Sequence, residues 1–79
     1  MIEVGRIYRI KASGPNDPHG GHYFLVSEEK KFKKFGYDVF YGICSCGVMD
    51  FEHELDLLEI RQTRKLKLQF AMIMLTLEQ

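Results

Sequence analysis

The sequence predicts a mainly β fold: a very small barrel of about five strands with an α-helix added at its end. Three observations carry this expectation. Runs of β-branched and aromatic residues recur along residues 4–60, divided by Gly, Pro and clusters of charge. The stretch from Phe51 to Ile60 reads as an acidic turn feeding a last short strand. The tail after Arg61 then turns to Leu, Met, Lys and Gln, with no Gly or Pro. The expected division is a barrel over residues 1–60 and a helical extension over residues 61–79, packed on the barrel or projecting from it.

Val4, Ile7, Tyr8 and Ile10 open the first strand, interleaved with Arg6, Arg9 and Lys11. Ala12 to Gly21 is a loop, because its glycines supply positive φ and its two prolines fix φ and remove donors. Ten residues is long for a connection in so small a protein, and long loops often hold binding residues. His22 to Ser27 is the second strand, followed by a charged connection from Glu28 to Gly36 containing Phe32 and Phe35. Tyr37 to Cys46 is the third strand, broken by Gly47. Val48 to Phe51 continues as a short fourth strand or a turn, and Leu55 to Ile60 is the fifth.

The tail fits two periods. Leu66, Leu68, Phe70, Met72 and Met74 alternate like a strand, whereas Leu66, Phe70, Ile73, Met74 and Leu77 share a helix face. Residue preference decides for a helix over residues 63–78, about 24 Å long, which Thr63 is placed to cap.

Seventy-nine residues make one domain, and six Phe and four Tyr supply the apolar area to fold it. Eleven basic and eleven acidic residues leave no net charge, which argues against global steering to nucleic acid. The charges are nevertheless sorted. Lys30, Lys31, Lys33 and Lys34 form one basic block, and Arg61, Arg64, Lys65 and Lys67 form another. Asp50, Glu52, Glu54, Asp56 and Glu59 form an acidic block between them. Such a dipolar surface suits a partner with the matching pattern. Cys44 and Cys46 are too close in sequence for an unstrained disulfide. No basic stretch followed by an apolar run opens the chain. The expectation is a reduced, cytoplasmic protein.

Four residues have the chemistry of a zinc site: His19, His22, Cys44 and Cys46, with His53 as a fifth candidate. Their spacing argues the other way. Zinc pairs usually read Cys-x2–4-Cys on a tight knuckle, whereas Cys-x-Cys on a strand holds both thiols rigidly on one face. His19 and His22 flank two glycines in a loop that does not preset them. The expectation is therefore no cofactor and no metal, with zinc the minor alternative. A nucleophilic Cys–His pair finds no third orienting group in the sequence, so no enzyme activity is expected. Gly20-Gly21 leads into a strand and lacks the pattern of a phosphate loop. The run from Lys30 to Phe35 interleaves bases with aromatics and, with Arg61, Arg64 and Lys65, offers a nucleic-acid surface as the alternative function. The helix is too short to span a bilayer, which argues against a membrane role.

The order of these segments resembles that of the SH3-like small barrels. Val4-Gly5-Arg6-Ile7-Tyr8 is followed by a long loop, Tyr23 to Val26 and Val39 to Cys44 correspond to central strands, and the close from Met49 to Leu58 is similar to that of small SH3-like proteins of Bacillus phages. The resemblance covers residues 3–60, and the helical tail is not a standard part of it. It implies a phage protein that binds a host protein and inhibits or redirects it, in transcription, replication, cell division or proteolysis. The residues assigned to that contact are His19 and His22 in the loop, Asp50, Glu52, Glu54 and Asp56 in the acidic block, and Phe70, Ile73, Met74 and Leu77 on the helix. Monomer or homodimer through the helix are both compatible with this reading.

Overall fold

Five strands pair antiparallel in one sheet of order β4-β3-β2-β1-β5, in a computed structural model that describes residues 1–78. The strands are β1 (Ile7–Ile10), β2 (Tyr23–Lys34), β3 (Tyr37–Cys44), β4 (Met49–His53) and β5 (Leu57–Glu59). A single 3-10 turn, Glu54–Asp56, joins β4 to β5, and helix α1 (Arg64–Leu77) follows. Mainly β with a C-terminal helix is thus what the chain forms. Among the described residues the sheet is open: β4 and β5 are its edges and do not pair, so closure into the expected barrel is not seen.

The largest departure from expectation is β2. The stretch from Glu28 to Gly36 is not a connection: β2 runs on to Lys34 and turns back through Phe35 and Gly36, both at positive φ. The register slips between Val26 and Lys30 and again between Lys30 and Phe32, so the long strand bends there. The lysines made the segment look like a loop because its outer half is exposed and carries no alternating apolar signal.

Strand parity divides the apolar residues between two faces. Tyr8, Ile10, Phe24, Val26, Phe40 and Cys44 share one face, and with Leu57 they make the inner core. Ile7, Tyr23, Leu25 and Ile43 lie on the other face, where Phe70, Leu66 and Ile73 of α1 cover them. The helix therefore packs on the back of the sheet. Its final neighbour, Gln79, lies outside the described residues. Thr63 caps the helix as expected, its hydroxyl accepting from the Leu66 N–H at 3.2 Å. Gln62 fixes the approach: its amide donates to the Ile7 carbonyl at 2.6 Å and accepts from the Ile7 N–H at 2.9 Å.

Gly42 lets the sheet close on its core. A Cβ there would collide with the Leu25 carbonyl and lie 2.7 Å from Phe24 Cζ. The Phe24 ring thus packs close against the β3 backbone at Gly42.

Phe70, 1% exposed, is the one buried residue of α1. Phe70→Ala is expected to cost about 3–5 kcal/mol in urea unfolding. Leu68→Ala, on the exposed side, is expected to change it by less than about 0.5 kcal/mol.

Candidate metal centre

The inner face of the sheet ends at Cys44, the last residue of β3, whose side chain is fully buried. The backbone turns at once. The Gly47 N–H donates to the Cys44 carbonyl at 2.9 Å, the Cys44 N–H donates to Val48, and Gly47 takes φ +95°. Cys46 therefore stands in a turn, not on a strand, and the objection drawn from Cys-x-Cys spacing does not apply. Ser45, between the thiols, ties the turn to β2: its N–H donates to the Tyr23 carbonyl, and its hydroxyl accepts from the Tyr23 N–H at 3.0 Å.

The histidines are preset by the loop. Asp17 organises it, accepting from the Ser13 N–H and hydroxyl and from the His19 N–H at 3.0–3.1 Å. The Ser13 and His19 N–H groups hold its carboxyl below the usual range. The loop is then stitched to β1, with Gly21 N–H donating to Ile10 and Ile10 N–H to His22. Gly21 at φ +82° makes the bend. Asp17 was not singled out from the sequence. An Asp four residues after a Ser in a Gly- and Pro-rich loop was the available sign.

These two anchored turns bring the four candidate ligands together. One ligand atom from each of His19, His22, Cys44 and Cys46 lies within 4.8 Å of every other. Cys44 Sγ is 3.3 Å from His19 Nδ1 and 3.4 Å from His22 Nδ1, and Cys46 Sγ is 3.5 Å from His19 Nδ1. A tetrahedron built on zinc's usual bond lengths has sulfur–nitrogen edges of about 3.6 Å. The set fits a two-Cys, two-His tetrahedral site. His19 also has an outer partner: its Nε2 is 3.5 Å from Asp50 Oδ2. That places Nδ1 toward the thiols and the N–H toward a carboxylate, the arrangement that orients metal-binding imidazoles. His53 is elsewhere, its Nδ1 accepting from the Leu55 N–H and its Nε2 donating to the Lys34 carbonyl at 3.1 Å.

The field at this corner favours a cation. Burial pushes the Cys44 thiol up to about 11, opposed in part by the Cys46 backbone N–H and reinforced by the Cys46 thiol and the Glu52 carboxylate. Glu52 is itself pushed up to about 7, first by burial and then by Asp50, Asp56 and Asp17. Glu52 thus feels three neighbouring carboxylates, those of Asp50, Asp56 and Asp17. His19, Cys44 and Asp50 could also be read as a nucleophile with its base and orienter, but a buried thiol with raised pKa is the wrong nucleophile.

The other sequence-assigned contacts are dispersed. Glu54 accepts from the Asp38 N–H at 2.7 Å, closing the turn onto β3. Phe70 is buried and Ile73 packs on the sheet, so neither faces a partner; Met74 and Leu77 remain exposed. Of the basic blocks, Lys30 and Lys33 lie 3.7 and 3.6 Å from Asp38, Lys31 pairs with Glu28, and Lys34 stands over the Phe35 ring. Arg61 precedes the helix and Arg64 and Lys65 begin it, on a different element from that hairpin. A row of rings that the sequence reading missed, Phe32, Phe51 and Tyr41, runs across the outer surface of β2, β4 and β3 at centroid spacings of 5.6 and 4.8 Å. The alternation of Val39, Tyr41 and Ile43 was visible in the sequence, but the pairing that sets Tyr41 beside Phe51 was not. Among the described residues, no helix is long and apolar enough to cross a membrane. No family model, curated protein or solved structure matches the chain.

Two outcomes follow from this geometry. Asp50→Asn, which keeps the shape but removes the acceptor charge, is expected to weaken zinc affinity by about tenfold or more in competition with a chromogenic chelator. In the metal-free chain the raised Glu52 pKa means that the folded form binds more protons than the unfolded form between pH 4.5 and about 7. Stability without metal is therefore expected to fall as pH rises through that window, and Glu52→Gln is expected to flatten the dependence in thermal melts.

Proposed function

We propose that this chain is a zinc-stapled, non-enzymatic binding domain of the SH3-like small-barrel type. The observation that carries the reading is the convergence of His19, His22, Cys44 and Cys46 at tetrahedral spacing, from two turns that are each independently anchored. The zinc role is structural: four protein ligands fill a tetrahedron and leave no position for water or substrate. A meander of β1 to β4, with β5 returning to pair with β1 after a 3-10 turn, supports the SH3-like assignment. Action on a host protein rests on the resemblance of residues 49–58 to phage proteins. The ring row of exposed Phe32 and Phe51 with half-buried Tyr41 suits such a contact, because large rings bury area at low entropic cost.

Zinc binding contributes about 10 kcal/mol or more to small structural sites, comparable to the whole stability of a domain. Native mass spectrometry of the reduced protein is expected to show one zinc per chain, removed by chelator together with much of the thermal stability. Cobalt(II) should replace it with the visible bands of a tetrahedral thiolate site. Cys46→Ser should weaken those bands, and His53→Ala should leave them unchanged. A protein that stays metal-free when zinc is supplied, with both thiols alkylated freely, would overturn the proposal.

A further inference from the structure

Helix α1 carries two apolar stripes, and the sheet uses one. Leu66, Phe70 and Ile73 turn toward the sheet. Leu68, Met72 and Leu75 repeat the same spacing of four and three on the opposite side, and are 57%, 70% and 62% exposed. Residues two apart on a helix point about 200° away from each other, so the stripes lie back to back. The outer spacing is that of a coiled-coil seam. Ala71, also exposed, sits beside Met72 and leaves room for close approach.

The charges of α1 point to what covers the seam. Arg64, Lys65 and Lys67 all fall within its first four residues, no acidic residue lies in its first turn, and Glu78 follows its last. Cations at a helix N-terminus and an anion at its C-terminus oppose the helix dipole. Within one chain this arrangement is unfavourable. Against an antiparallel copy it becomes favourable, because each basic end meets the partner's negative end.

We propose that α1 pairs with α1 of a second copy of this chain, antiparallel, across Leu68, Met72 and Leu75. With the two-fold axis between Ala71 and Met72, Leu68 of one copy faces Leu75 of the partner subunit. Lys65 then faces Glu78 of the partner subunit, and symmetry repeats both contacts. A parallel pair would set the two basic ends together. Three large side chains on a helix about 21 Å long cover less than the roughly 800 Å² per partner of a standard interface. The dimer is therefore weak, with a dissociation constant on the order of 10–100 µM.

Sedimentation equilibrium of the zinc-loaded full chain tests this between about 5 µM and 1 mM, a range that brackets that constant. The weight-average mass is expected to rise from 9.3 kDa toward twice that value. Leu68→Glu should hold it at the monomer mass throughout, with circular dichroism and zinc content unchanged. Lys65→Glu and Glu78→Lys should each weaken the dimer by about fivefold, and the double variant should recover most of that loss. A monomer at the highest concentration overturns the proposal, as does a dimer that survives Leu68→Glu or charge reversals that do not rescue each other. Binding of the monomer to anionic lipid vesicles, abolished by Leu68→Glu, would also overturn it, by showing that a lipid surface covers the seam.

Discussion

Two imidazoles and two thiols meet where the inner core of this domain runs out, and the rest of the architecture is arranged around that meeting. The inner layer is thin: Tyr8, Phe24 and Phe40 supply most of its bulk, with Ile10, Val26, Leu57 and the Cys44 side chain. In a domain this small the apolar surface buried only narrowly exceeds the entropy lost on folding. A metal bound by groups far apart in sequence adds stability that the core alone does not supply. Here it would join the loop from Ala12 to Gly21 to the turn after β3, two irregular segments far apart in sequence.

The placement of the centre also explains the glycines and short polar residues near it. Gly47 and Gly21 take backbone conformations closed to most side chains, and those bends sit beside Cys46 and His22, which meet in the ligand cluster. Asp17 and Ser45 contribute no ligand atom to the cluster. They hold the two turns in place through backbone hydrogen bonds, so the ligands are positioned before any ion arrives. The carboxyls of Asp50, Glu52 and Asp56 serve the same corner electrostatically. Burial first, and then the crowding of these carboxyls, disfavours charge on Glu52, as its raised pKa reflects.

The second face of the sheet follows different physics. There the helix lays Phe70 between Ile7 and Ile43, and Gln62 locks the approach through two hydrogen bonds to one strand residue. The apolar surfaces left uncovered include the ring row of β2–β4 and the outer stripe of α1. They stand on separate elements, so binding of a partner on one need not compete with pairing through the other.

Local chemistry decided much of this in the sequence itself. The helix and its Thr63 cap, the long first loop, the mainly β character and the four residues with metal-binding chemistry are all legible there, because propensity, turn residues and ligand type depend on near neighbours alone. The continuation of β2 to Lys34 is not legible, since an exposed, bent strand carries no period. Nor is the outcome at Cys44 and Cys46. Read as a strand, the pair is rigid and mis-spaced; only the turn that hydrogen bonds to Tyr23 and Val48 impose frees Cys46 to join the histidines. Which helix stripe is buried was likewise settled only when Ile7 and Ile43 presented a surface for Phe70. Sequence specifies what each segment can do. Long-range pairing selects which of those possibilities the folded chain adopts, because a ligand set or a buried face exists only when residues distant in sequence meet in space.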